Sequence, residues 1–225
     1  TGVQTCALPI WEDALPSDMH LAYLPNMLTG IRLRLSLYGS KSEEDAERLE
    51  KELSELKSIL GDLLYSECDD TLQNAVGMLL KRLGKTVSAA ESCTGGLVGA
   101  ALTEIAGSSE IFNGSAVVYS NEAKNKILNV SQDILNNFGA VSSECAVSMA
   151  EGARKIYNSH FAISLTGIAG PDGGSELKPV GTVWFGISSD KKESYAVKKI
   201  FSGDRAEIRG SAVKFALNKI LEEMK

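Results

Sequence analysis

A chain of 225 residues with 44% hydrophobic side chains is long enough for one large domain with a small partner and for a real core, so a globular protein is expected. Its formal net charge of -6 argues against a broad electrostatic footprint for nucleic acid or an anionic membrane; neither partner is expected, and only local anion sites stay open. The four cysteines, Cys6, Cys68, Cys93 and Cys145, lie far apart without a C-x-x-C pair, which fits free thiols in a reducing compartment better than a disulfide framework or a zinc site. No run reaches the length of a membrane span and no basic n-region precedes an apolar h-region, so a cytoplasmic protein is expected.

The first ten residues, Thr1 to Ile10, stand apart from the rest. The string TGVQTCALPI reads as the translation of a sequencing-adapter oligonucleotide and lacks an initiator Met; it is taken as non-native sequence on a chain whose natural start lies further upstream. Trp11 to Pro25 is punctuated by proline and predicts a loop, after which Ile31 to Leu37 alternates apolar and polar residues like a half-buried strand. Ser42-Glu43-Glu44-Asp45 is a capping signal, and Ala46, Leu49, Leu53, Leu56 and Leu60 recur at helical spacing until Gly61. Leu63-Leu64-Tyr65 predicts a short strand, making residues 11–68 a small α/β segment. Arg32 and Arg34 suggest RNA contact only weakly, because the neighbouring helix is rich in Glu and Asp and there is no G-x-x-G loop. An acidic stretch, Ser66 to Asp70, reads as a linker, which places a domain boundary between Tyr65 and Asp69 and assigns 69–225 to the main domain.

That domain opens with a helix begun by Asp69-Asp70-Thr71, with Leu72, Val76, Leu79, Leu80 and Leu83 on one face and Gly84 as its stop. A β-branched run, Thr86-Val87-Ser88, then leads into Ala89 to Gly96, and an apolar-periodic segment continues from Leu97 to Ile105. This is a strand-to-helix turn, where Ser92 can project its hydroxyl clear of a sheet and Thr94, Gly95 and Gly96 can leave free N–H groups at a helix N-terminus. Nucleophile and oxyanion donors can share such a turn; Ser92 or Thr94 acting as a plain helix N-cap is the alternative.

Only two histidines exist, His20 and His160, and neither lies beside a Ser, Asp or Glu in a familiar hydrolase pattern, so any base for Ser92 must be a Lys or Tyr. A strand over Ser115 to Ser120, followed by a helix begun at Asn121-Glu122-Ala123, brings Tyr119 and Lys124 to a strand's carboxyl end, where α/β enzymes build sites. An exposed Lys and a β-preferring Tyr are the other option.

Asp133 to Phe138 and Ser142 to Ile156 predict two helices, the second with a small-residue face of Ala146, Met149, Ala150 and Ala153. The apolar strand Phe161 to Thr166 runs into Gly167 to Ser175, a backbone cradle for phosphate or carboxylate, or else a set of turns; it lacks both the Walker Lys and G-x-G-x-x-G spacing. Val180 to Ser188 and Tyr195 to Phe201 predict an antiparallel hairpin. Ser202 to Glu207 forms a capping box for a last helix with Val213, Leu217, Ile220 and Met224 inward. Arg205 in its first turn opposes the helix dipole, a cost understandable if the guanidinium holds an anionic ligand; pairing with Glu207 or Glu91 is the alternative. These elements predict an α/β main domain with a mixed β-sheet flanked by helices, preceded by a small α/β segment.

From Leu72 onward the chain resembles the C-terminal domain of the CinA family, the nicotinamide-mononucleotide deamidases. The motifs that carry the likeness are AESCTGG at Ala90 to Gly96, IAGSS at Ile105 to Ser109, YSNEAK at Tyr119 to Lys124, FGAVS at Phe138 to Ser142, TGIAGPDGGS at Thr166 to Ser175, KPVGTVWF at Lys178 to Phe185 and FSGDR at Phe201 to Arg205. Leu21 to Ser66 looks like the middle segment of full-length members. The resemblance implies hydrolysis of the carboxamide of nicotinamide mononucleotide to nicotinic acid mononucleotide and ammonia, without metal or cofactor. It implies Ser92 as nucleophile with Lys124 and Tyr119 assisting, Tyr119 relaying the proton or orienting Ser92. Substrate contacts are implied for Cys93, Thr94, Gly95 and Gly96 of the turn, for Thr166, Gly167 and Gly170, and for Arg205 at the phosphate or ribose. Lys124 must then be partly neutral, hence desolvated or set beside another cation. Cys93 is an alternative nucleophile, which the motif disfavours against the Ser. A homo-oligomer is expected; a non-catalytic nucleotide-binding module in a competence or DNA-damage response is the rival function.

Overall fold

The computed structural model describes residues 2–26, 30–39, 42–64 and 71–224. The chain divides into two compact units, 1–72 and 73–225. The boundary expected between Tyr65 and Asp69 lies outside the described residues, as does Tyr65 of the expected Leu63 to Tyr65 strand.

In the first unit, helix α1 (Gly2–Asp13) is followed by strands β1 (Met19–Asn26) and β2 (Gly30–Leu37) and by helix α2 (Glu43–Leu60). The loop expected over Trp11 to Pro25 is therefore replaced by the end of α1 and most of β1. Strands β1 and β2 pair antiparallel from Met19↔Leu37 to Asn26↔Gly30, and Pro25 is tolerated because a two-stranded ribbon leaves each strand an unpaired edge. Helix α2 begins at the predicted capping box, Ser42 accepting from the Asp45 N–H. A 3-10 turn at Gly61–Leu63 stands where the short strand was expected. The Arg48 guanidinium closes on both carboxylate oxygens of Asp18, at 3.0 and 2.9 Å.

The second unit is a five-stranded mixed sheet between helices. Its elements are α3 (Leu72–Leu83), β3 (Val87–Glu91), α4 (Leu97–Thr103), β4 (Phe112–Val117), α5 (Asn121–Leu128), α6 (Gln132–Asn137), α7 (Ser143–Tyr157), β5 (Phe161–Gly167), β6 (Thr182–Ser189), β7 (Tyr195–Ile200) and α8 (Arg205–Met224). The strand order is β4-β3-β5-β6-β7, with β3 parallel to both neighbours and β6 antiparallel to β5 and β7. All five residues of β3 are buried, as expected for a strand covered on both faces.

Period-two alternation sorts the two layers. Ala90 and Ala162 face α5, α6 and α7 in a core with Leu128, Val130, Leu135, Cys145, Met149 and Ala153. On the opposite face Phe185 packs against Phe215 of α8, ring centroids 4.5 Å apart. The small-residue face predicted for α7 lets the helix sit low on the sheet: a Cβ added at Gly186 would meet the Ala146 carbonyl oxygen at 2.0 Å. Buried Ser164 donates to that carbonyl and accepts from the Gly186 N–H.

Three expectations shift. Strand β4 lies three residues earlier than the predicted Ser115 to Ser120 strand, Leu83 of α3 is 42% exposed, and α8 turns Ile208, Ala212, Ala216 and Leu221 inward beside the predicted Leu217 and Ile220 while Val213 and Met224 are only half-buried. The Asp204–Glu207 capping box of α8 forms as predicted, Asp204 taking the Ala206 and Glu207 N–H groups and Glu207 taking the Asp204 N–H. Among the described residues no helix is long and apolar enough to cross a membrane. Cys93 and Cys145 are free thiols; the Cys6 side chain and Cys68 lie outside the described set.

Candidate active site

Strand β3 ends at Glu91, and the ladder runs one residue further, the Ser92 N–H donating to the Leu165 carbonyl at 3.0 Å. The chain then turns through Cys93, Thr94 and Gly95 into Gly96, which precedes α4 with φ 101°, a left-handed conformation that glycine adopts without strain. Residues Ser92 to Thr94 are buried, Ser92 retaining 8% exposure.

The amine of Lys124 completes the pair. Ser120 caps α5 by accepting from the Ala123 N–H, and Lys124 follows in the first turn with its side chain 1% exposed. Its Nζ lies 3.1 Å from Ser92 Oγ, 2.9 Å from the Val118 carbonyl and 3.2 Å from the Tyr119 carbonyl. Among the described ion pairs it has no carboxylate partner. Burial therefore lowers its pKa from the ordinary lysine value, only partly opposed by the nearby Cys145 and Cys93 sulfurs. A neutral amine has two N–H bonds and one lone pair. Two carbonyls accept the N–H bonds, and the remaining neighbour is a hydroxyl able to donate into the lone pair. This is the arrangement of a general base on an alcohol nucleophile.

Cys93 does not compete. Burial pushes its thiol up to about 11, and the same cause raises Cys145 to about 11, so neither offers a thiolate near neutral pH.

Glu91, which the sequence suggested only as a partner for Arg205, organises the turn. It is fully buried and faces five donors: Thr94 Oγ1 at 2.8 Å, Ser115 Oγ at 2.9 Å, and the N–H groups of Gly96, Val98 and Gly99 at 3.0, 3.0 and 2.9 Å. The free helix N-terminus expected there is thus already capped by a side chain of the protein. The Gly95 N–H donates to the Ser92 carbonyl at 3.1 Å, so neither Gly95 nor Gly96 keeps an amide for a ligand. The Cys93 and Thr94 N–H groups point to the Cys93 sulfur, and among the described hydrogen bonds neither has an oxygen acceptor. The second residue missed was Arg209, one helical turn after Arg205, whose Nη2 donates to the Thr94 carbonyl at 2.7 Å. Its spacing of four from Arg205 was the available signal.

Tyr119 is 61% exposed, and its hydroxyl accepts from Arg205 Nη2 at 3.1 Å. Among the described hydrogen bonds it makes none to Ser92; its carbonyl is what reaches Lys124. Arg205 also donates from Nη1 to the Gly170 carbonyl at 2.8 Å and pairs with neither Glu207 nor Glu91. Its described partners are neutral. Thr166 is 1% exposed and spends its hydroxyl on the Ala140 carbonyl at 2.7 Å. At Gly167 an added Cβ would stand 2.6 Å from the Thr182 carbonyl, which requires glycine for close strand approach. Thr166 and Gly167 therefore shape the loop, while Gly170 joins Arg205 and Tyr119 at a rim. His160, before β5, accepts the Thr86 N–H at Nδ1, 3.1 Å away, at the opposite end of the sheet from Ser92. A separate cavity of about 230 Å³, lined by Phe138, Val141, Leu177, Trp184 and Lys198 among others, contains none of the expected site residues.

The sequence model of the CinA C-terminal domain family matches residues 69–224. The CinA-like protein of Endomicrobium trichonymphae is 40% identical across 100% of this chain and 53% of its own length, and that of Dictyoglomus turgidum is 45% identical across 88% of this chain and 48% of its own. The chain thus spans about half the length of these curated relatives. Among solved structures, the competence/damage inducible protein CihA from Agrobacterium tumefaciens superposes with a TM-score of 0.65 at 42% identity, covering 68% of this chain and 93% of that one. A competence-damaged protein (CinA) superfamily protein from Escherichia coli gives 0.65 at 32% identity, covering 73% and 98%. With the domain match spanning most of the chain and the mixed sheet shared with solved members, the chain belongs to the CinA family.

Proposed function

We propose that residues 69–225 form an amidohydrolase that cleaves the carboxamide of nicotinamide mononucleotide, giving nicotinic acid mononucleotide and ammonia. The observation that carries it is the buried Lys124 amine, without a counter-ion among the described residues, 3.1 Å from Ser92 Oγ. Lys124 takes the hydroxyl proton as Ser92 Oγ attacks the amide carbon. The oxygen of the tetrahedral intermediate is received by the Cys93 and Thr94 N–H groups, a kind of donor whose loss costs about 10²–10³ in rate. Lys124 returns the proton to the leaving nitrogen, ammonia departs, and an acyl ester on Ser92 remains. Water, deprotonated by the same amine, attacks the ester carbon; the proton returns to Ser92 Oγ and the carboxylate product leaves.

Arg205 supports the mononucleotide as substrate class. Its two bonds go to neutral oxygens of Gly170 and Tyr119, so a phosphate exchanges them for a charge-assisted, bidentate contact. The test is ammonia release from nicotinamide mononucleotide by the full chain, its Ser92→Ala variant and its Lys124→Ala variant. Turnover confined to the wild type supports the proposal. Undiminished turnover in folded Ser92→Ala eliminates that nucleophile, and ligand binding without turnover by the wild type favours a nucleotide-binding module.

A further inference from the structure

Thr94 is fully buried and tethered on two sides by residues far apart in sequence. Its hydroxyl donates to Glu91 on β3, and its carbonyl accepts from Arg209 on α8. With side chain and carbonyl both held, the Thr94 Cα and its bond to the amide nitrogen are held in place. The Thr94 N–H lies beside the Cys93 sulfur and, in the amidohydrolase reading, is one of the two amides assigned to the oxyanion. Preorganised donors are effective because they need no reorientation as charge develops.

Arg209 stands out on α8 for a second reason. Its Nε is buried and has no hydrogen-bond partner. Among the described hydrogen bonds the guanidinium has one acceptor, the neutral Thr94 carbonyl, and a Cβ added at Gly95 would stand 3.5 Å from the same Nη2.

We propose that Arg209 is a positioning residue for the reaction, fixing the oxyanion donors of the Ser92 turn through the Thr94 carbonyl while Glu91 holds the Thr94 hydroxyl. The proposal rests on the amidohydrolase assignment of the same site. It predicts a signature separate from substrate binding and from base strength: Arg209 touches neither the Arg205 rim nor the Lys124 amine in any described hydrogen bond.

The experiment compares full-length wild type, Arg209→Gln and Arg209→Lys in ammonia release from nicotinamide mononucleotide across pH, together with the rate at which a fluorophosphonate labels Ser92. In Arg209→Gln, kcat is expected to fall about 10- to 100-fold with KM within about twofold, as for a lost transition-state contact. The pH midpoint of kcat/KM stays in place, labelling slows in parallel, and Arg209→Lys, which keeps a cationic donor, recovers part of both rates. Unchanged kcat, a rise in KM alone, or a moved pH midpoint overturns the proposal. If Arg209→Gln fails to fold, Thr94→Val removes the hydroxyl tether at nearly constant shape; a kcat loss at constant KM supports the clamp and an unchanged kcat overturns it. Should the wild type release no ammonia, the amidohydrolase assignment fails and labelling alone decides: slower labelling of Arg209→Gln supports the clamp, equal labelling overturns it.

Discussion

At the two ends of β3 a hydroxyl meets a nitrogen base at nearly the same distance. Thr86 Oγ1 lies 3.0 Å from His160 Nδ1, and Ser92 Oγ lies 3.1 Å from Lys124 Nζ. At the first end the Thr86 N–H also occupies Nδ1, and Thr86 Oγ1 in turn accepts the His160 N–H, so the pair laces the starts of β3 and β5 together. At the second end the nitrogen is a desolvated amine that, once neutral, gives its two N–H bonds to the carbonyls and keeps its lone pair for the hydroxyl. Proximity of a hydroxyl and a base is common to both; what separates them is burial without a counter-charge and an unspent lone pair.

The largest test of this contrast removes either member of the second pair. Ser92→Ala and Lys124→Ala are each expected to lower kcat for ammonia release by about 10⁴-fold or more. Lys124→Arg should be as inactive as Lys124→Ala, because a guanidinium keeps its proton. Activity retained in the Arg variant would mean that the base need not be neutral.

The pH dependence is next. Because burial lowers the Lys124 pKa, kcat/KM should rise with pH to a plateau, with a midpoint below the ordinary lysine value of about 10.4. The stability linkage has a definite sign. Between the lowered folded pKa and the unfolded one the unfolded chain binds more protons, so Lys124 contributes a stability gain as pH rises through that window, and its penalty is fully present below the folded pKa. Lys124→Met should therefore raise the melting temperature relative to wild type by more at pH 6 than at pH 9, measured by calorimetry; an equal difference at both would place the amine in solvent.

Glu91→Gln sharpens the comparison from the side of the turn. An amide NH₂ would face some of the five donors that Glu91 now receives, so urea unfolding should show a loss of about 1–3 kcal/mol. His160→Gln is the smallest effect: ammonia release within about twofold of wild type, with roughly 1 kcal/mol of stability lost in the same assay. A large loss of activity there would erase the distinction between the two ends.

The alternation and capping signals foretold α2, α5, α7, β5 and the β6–β7 hairpin, because each is encoded within its own segment. With 32 residues between Ser92 and Lys124, the scarcity of His and the strand end leave Lys124 and Tyr119 both open as the base, and the motif likeness implies the two together. Strand β4 was misplaced for an instructive reason. Val118 and Tyr119 look like strand residues, yet their carbonyls turn to the Lys124 amine, which ends the strand at Val117. Glu91 reads as an ordinary charged strand terminus until the five donors are gathered around it, four of them downstream in the turn and helix and one on the neighbouring strand. For Arg209 only the spacing of four from Arg205 hinted at a shared face; its partner is a backbone carbonyl 115 positions away, and a carbonyl carries no side-chain signature. The resemblance implies Tyr119 as a proton relay or as orienting Ser92, but its hydroxyl meets Arg205, from an element 86 positions later.

The docking of α8 on the Ser92 turn also sets a schedule. Ser92 and Lys124 leave the ribosome well before Arg209, and at about 5–20 residues per second the interval is roughly four to seventeen seconds. During it a nascent chain holds Ser92 and Lys124 without the guanidinium that anchors Thr94 or the one that frames the rim. The helix that anchors the Ser92 turn is made well after the turn itself.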